Sequence, residues 1–218
     1  MRELRPGTPL TGVCGGGDSY GTMDPSIPRR TNAVNLPNVL TYARIVAVPA
    51  LVACLMLIEG EAGRWAAFWL FVVAAITDWL DGYLARLWEQ QSTLGRMLDP
   101  IADKLIVGAA LIMLVHDGTI DGWSVSAAIV ILCREILVSG LREFLAELNV
   151  KVHVTALAKW KTAAQMVALA CLIAGPAGDR LVPGVSMAGT ALLWLAAVLT
   201  LWTGYDYLKA GVRHAMEG

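Results

Sequence analysis

Asp78, Asp81, Asp99 and Asp103 stand at the edges of two strongly apolar stretches, at spacings that pair them. The first pair lies in Thr77-Asp78-Trp79-Leu80-Asp81-Gly82-Tyr83-Leu84-Ala85-Arg86, the second in Gly95-Arg96-Met97-Leu98-Asp99-Pro100-Ile101-Ala102-Asp103-Lys104. On helices, Asp78, Asp81, Gly82 and Ala85 share one stripe, and Gly95, Asp99 and Asp103 share another, because residues three, four and seven apart face the same way. A link over 87–94 makes the two stretches antiparallel neighbours, so the carboxylate pairs can face each other. Four like charges this close repel strongly where water is scarce. Divalent cations between them remove that repulsion, and all-oxygen ligation points to Mg²⁺ or Mn²⁺ rather than zinc. A single such aspartate would read as a solvated helix cap or a partner for Arg86, Arg96 or Lys104. Four on facing stripes read as a site, because ionisable groups in membrane segments are costly.

Small residues beside the acids carry a second signal. Gly82 and Ala85 leave open the space over the carboxylates, where a phosphate-bearing ligand can approach the helix backbone. Helix–helix packing also uses small residues, so they do not decide the matter alone.

The elements that hold these residues follow from composition. The chain has 218 residues, 56% of them hydrophobic and 16% charged, against roughly 45–50% and 25% in a soluble domain. Mean hydropathy is +0.59. The apolar residues fall into six segments, about 39–58, 65–87, 97–116, 123–144, 155–174 and 186–208, each near the ~20 residues that span a bilayer as a helix. Glu-Gly-Glu-Ala-Gly (59–63), His-Asp-Gly (116–118) and Gly-Pro-Ala-Gly-Asp (175–179) separate them. The expected fold is therefore an all-α integral membrane protein of six transmembrane helices, with 34–218 as the membrane domain. Residues 1–33, rich in Gly, Pro, Ser and Thr, read as a flexible cytoplasmic tail. With both termini cytoplasmic, nearly every Lys and Arg from Arg29 to Arg213 falls on the cytoplasmic side, and only Arg64 and Arg180 fall opposite. Trp65, Trp123 and Trp160 sit near segment ends, as interfacial aromatics do.

Zinc and disulfide chemistry find no support. Cys14, Cys54, Cys133 and Cys171 form no CxxC pair, and His116, His153 and His214 lie at no ligand spacing from one another.

The run Asp78-x2-Asp81-Gly82-x2-Ala85-Arg86-x8-Gly95-x3-Asp99-x3-Asp103 resembles the signature of the CDP-alcohol phosphotransferase family at all eight positions. The resemblance implies an enzyme with two divalent cations, Mg²⁺ or Mn²⁺, on Asp78, Asp81, Asp99 and Asp103. It also implies a cytidine diphosphate pocket along Asn38, Thr41, Asp78, Asp81, Gly82, Ala85, Arg86 and Gly95, with Asp103 as general base. The stretches 35–44, 134–143 and 159–166 are similar to the bacterial branch that uses glycerol 3-phosphate as acceptor. Arg44, Arg134, Ser139, Arg142, Lys159 and Lys161 are the candidates for binding the acceptor's phosphate. The same cations could instead snorkel to anionic headgroups.

Expected partners are CDP-diacylglycerol, glycerol 3-phosphate, membrane lipids and a second copy of the chain in a homodimer, with no nucleic acid. The expected location is the inner (cytoplasmic) membrane, with the site facing the cytoplasm. Two other readings stay open here: a family member using inositol phosphate or phosphatidylglycerol as acceptor, and a divalent-cation transporter. Against the transporter, segments four to six carry no matching acidic pair, whereas transporters often show repeated halves.

Overall fold

The computed structural model describes residues 36–88, 93–147 and 156–217. The tail expected over 1–33 lies outside them. Among the described residues all regular structure is helical: α1 Leu36–Leu57, α2 Glu61–Trp88, α3 Thr93–His116, α4 Ser124–Glu147, α5 Ala156–Leu181 and α6 Val185–Glu217. Each of the six apolar segments has become one helix.

The helices pack as a closed circuit. α1 lies against α2, α2 against α5, α5 against α6, α6 against α4, α4 against α3, and α3 returns to α1. α3 also touches α5. Leu51, Phe71, Leu111, Leu114, Ile131, Leu169, Leu172 and Leu193 are buried inside, with Ala67, Ala110, Ala168 and Ala196 where helices approach. Outward positions are equally apolar: Val46, Trp69, Val73, Ile112, Ile129, Ile136, Val198 and Leu201 are all exposed. A helix apolar on both faces belongs in lipid. α1, α4 and α6 carry windows long and apolar enough to cross a bilayer, at Leu40–Leu57, Ser124–Leu145 and Val185–Tyr205. Trp123 and Trp160, at helix ends, are strongly exposed.

Two of the three separators differ from the sequence expectation, and α6 continues to Glu217, past the expected 208. α2 begins at Glu61, so part of the expected 59–63 separator is helical. The 175–179 separator is a break inside α5: Gly175 adopts φ 46° and ψ −131°, and a short helical stretch continues to Leu181. Pro176 follows the break, where its missing N–H does least harm.

Arg64 explains the break. Its Nη1 donates to the carbonyls of Leu172 and Ile173 at 3.4 Å, and its Nη2 donates to Asp117 at 2.8 Å and Thr119 at 2.9 Å. A Cβ on residue 175 would collide with the Arg64 guanidinium. Gly175→Ala is therefore expected to lower stability by about 1–3 kcal/mol, because the substitution strains the backbone and displaces Arg64. Thermal unfolding in detergent checks this, and an unchanged midpoint would contradict it. After the break, Asp179 accepts the Ser186 amide at 3.0 Å and so caps the start of α6.

A cleft of about 360 Å³ opens at this end of the bundle, lined by Glu59, Glu61, Arg64, Asp117 and Arg180 among others. Within it Arg64 pairs with Asp117 and Arg180 with Glu61. The cleft lies at the end of the bundle away from the paired aspartates.

Candidate active site

The site is assembled around α1. Thr41 and Arg44 are buried at 2% and 3% exposure, one turn apart on the stripe that continues to Leu51, while Tyr42 and Ala43 face outward. Burying an arginine is expensive unless its charge is met. Here two helices meet it. Arg44 Nη1 lies 2.9 Å from the Asp78 carboxylate on α2 and 2.6 Å from the Asp103 carboxylate on α3.

The two outer members of the acidic motif therefore converge on one point, although 25 residues separate them in sequence (103 − 78). Their side chains remain 39% and 44% exposed. Each carboxylate thus keeps access to solvent while its Oδ1 is held. The helical backbone of α2 carries Asp78, Asp81, Gly82, Ala85 and Arg86 together, and that of α3 carries Gly95, Asp99 and Asp103. The side chains of Asn38, Asp81, Ala85, Arg86 and Asp99, like the surroundings of Gly82 and Gly95, lie outside the described residues.

A second polar cluster joins α4, α5 and α6. Glu135 receives Lys161 in an ion pair and Arg134 at 3.3 Å. Arg134 Nη2 donates to Thr203 at 3.0 Å, and the absence of a side chain at Gly204 makes room for the Arg134 stem, which a Cβ there would meet at 3.2 Å. Lys161 and Thr203 are buried, as is the neighbouring Gln165. Ser139 donates back to the Glu135 carbonyl at 2.8 Å. Arg142 is exposed on the same helix. The Lys159 side chain lies outside the described residues.

Of the residues expected as phosphate ligands, Arg134 and Lys161 both reach the Glu135 carboxylate, while Ser139 bonds back to its own helix. Arg44, expected with them, stands instead among the acids. Glu135, Thr203 and Gln165 were not singled out in the sequence, although a lone carboxylate within an apolar helix is itself a signal that a cation faces it.

The donor set suits hard divalent cations. Two carboxylates from different helices already close around a positive nitrogen, and they offer oxygen alone. Arg44 Nη1 thus marks a place where positive charge is stabilised.

Residues 34–202 match the family model for CDP-alcohol phosphatidyltransferase. The chain belongs to the CDP-alcohol phosphatidyltransferase family. Its motif residues lie on α2 and α3. The chain is 47% identical over 176 residues to the CDP-diacylglycerol–glycerol-3-phosphate 3-phosphatidyltransferase of Rickettsia bellii, covering 81% of this chain and 94% of that one. Identity to the protein of the same name from Salmonella choleraesuis is 43% over 178 residues, covering 81% and 94%. For that from Cereibacter sphaeroides it is 39% over 217 residues, covering 84% and 98%. These matches span nearly the whole length of the relatives.

Proposed function

We propose that this chain transfers a phosphatidyl group from CDP-diacylglycerol to sn-glycerol 3-phosphate, releasing phosphatidylglycerol phosphate and CMP as a step of phospholipid biosynthesis. The observation that carries the chemistry is the convergence of Asp78 and Asp103 on one cationic point. High identity to relatives bearing that activity's name supports the choice of substrates.

On this reading Asp78, Asp81, Asp99 and Asp103 hold two divalent cations, Mg²⁺ or Mn²⁺. Bound there, such ions neutralise the diphosphate and the charge developing on departing CMP. The stripe Gly82, Ala85 and Arg86, with Gly95, Asn38 and Thr41, receives the cytidine diphosphate moiety. Asp103 accepts the proton from the acceptor's 1-hydroxyl as its oxygen attacks the phosphorus attached to diacylglycerol. The bond from that phosphorus to the bridging diphosphate oxygen breaks, and CMP leaves.

The acceptor's own phosphate is held by the basic cluster of α4 and α5: Arg134, Ser139, Arg142, Lys159 and Lys161. Arg44, paired with Asp78 and Asp103, would join them only on leaving those carboxylates. Guanidinium forks and ammonium groups match phosphate oxygens. Glu135 keeps Lys161 and Arg134 in place between turnovers, so the cluster stays tolerable inside an apolar bundle.

All six helices cross the bacterial inner membrane on this reading, with both termini and the site at the cytoplasmic face. Residues 34–218 form the working domain and 1–33 a cytoplasmic tail. The distribution of Lys and Arg supports that orientation, and the outlying pair is accounted for: Arg64 is bound to Asp117, and Arg180 to Glu61. A homodimer is the proposed assembly.

An acceptor screen tests the proposal. Purified full-length protein with CDP-diacylglycerol and Mg²⁺ should release CMP with glycerol 3-phosphate, and EDTA should abolish the release. Release only with inositol phosphate, or with phosphatidylglycerol, would reassign the acceptor. Cation flux into liposomes without any CMP would point to transport.

A further inference from the structure

We infer that Arg44 is the resident counter-cation of the acidic site, a positioning residue that holds Asp78 and Asp103 together until a divalent cation displaces its Nη1. The inference rests on the metal-site reading above, but it concerns how the site is kept assembled before any ion arrives.

Three observations carry it. Arg44 is nearly fully buried, so its charge has little water to lean on. Its Nη1 touches both carboxylates from the side on which they converge. Both carboxylates are also substantially exposed, so an incoming ion can reach them. A guanidinium stays protonated at any working pH, so this charge cannot be removed by titration; it can only move.

A metal ion and Arg44 Nη1 therefore compete for the same carboxylate oxygens. A positive neighbour at contact distance weakens the hold on a dication, and removing it should strengthen that hold. Displacement would leave the guanidinium, on its long stem, free to turn to a phosphate oxygen, the role the sequence suggested for it. A lysine has the charge but not the fork, so it makes a poorer bridge between two helices.

The test is Mn²⁺ binding, followed by the electron paramagnetic resonance of free and bound ion on the full-length protein in nanodiscs. Arg44→Gln is expected to bind Mn²⁺ about tenfold or more tightly than the unaltered protein. Arg44→Lys should stay near the unaltered affinity. In EDTA the Gln variant should melt well below the unaltered protein, and Mn²⁺ should restore most of the difference. A Gln variant that folds only when prepared in Mn²⁺ supports the same conclusion. Equal or weaker Mn²⁺ binding by Arg44→Gln overturns the inference, and so does a variant that fails to fold even with Mn²⁺, since the ion would then not replace the guanidinium. If the unaltered protein binds no Mn²⁺, it is the metal-site reading that fails.

Discussion

Asp103→Asn is expected to lower the rate of CMP release by roughly 10²–10⁴-fold, the range over which a positioned general base contributes. The asparagine oxygen can still accept the 2.6 Å hydrogen bond from Arg44 Nη1, so the link between α1 and α3 should survive. What the substitution removes is the ability to take a proton and one anionic charge. Steady-state CMP release with both substrates saturating measures the first loss, and a melting curve in EDTA shows whether the fold has held. Near-normal turnover in a folded Asp103→Asn protein would rule out Asp103 as the base. Asp78 touches the same nitrogen from α2 but is given no proton to carry. Its asparagine variant should therefore lose activity through weakened metal binding, and excess Mn²⁺ should rescue it better than it rescues Asp103→Asn.

The second large effect lies in the α4–α5–α6 cluster and is one of stability. Glu135→Ala leaves Lys161, 5% exposed, without its carboxylate. Breaking one side of a buried pair costs about 3–5 kcal/mol, because the remaining charge is stranded. The double replacement Glu135→Leu with Lys161→Met removes both charges and restores packing, so it should recover most of that loss. Arg134 still has Thr203 in the double variant. Unfolding midpoints of the singles and the double decide the matter. A double variant no more stable than Glu135→Ala would show that the pair is not the source of the loss. Activity separates the two roles of Lys161: the double variant should be stable yet need far more glycerol 3-phosphate to reach half its maximal rate.

What could be read in the sequence was whatever repeats within one helix. The stripe of Asp78, Asp81, Gly82 and Ala85 and that of Gly95, Asp99 and Asp103 depend on a local period of 3.6, and both lie on continuous helices. The six helices were legible because each apolar block is long and bounded by turn residues. The partners of these stripes were not legible. Arg44 meets Asp103 across 59 positions, and Lys161 meets Glu135 across 26. No local spacing encodes which cation faces which acid, so Arg44 was grouped with the phosphate ligands on charge alone. The break at Gly175 looked like a loop because Gly-Pro-Ala-Gly-Asp carries turn chemistry. In the fold, the same residues allow the helix to stop, accept Arg64, and resume. The main partner of Glu135 likewise comes from α5, a pairing that no spacing within α4 encodes.

The contact between Arg44 and the two aspartates also bears on how the chain is made. Ribosomal synthesis delivers Arg44 first, Asp78 34 residues later (78 − 44), and Asp103 only 59 residues after Arg44. Until then α1 must enter the bilayer with a guanidinium about two turns inside it, at a cost of up to roughly 2.5–3.5 kcal/mol, part of which snorkelling relieves. Asp78, arriving with the second helix, meets part of that charge, and Asp103 on the third completes the pairing. One buried cation thus ties the first three helices together, and the tie is complete only once two later segments of the chain have reached it.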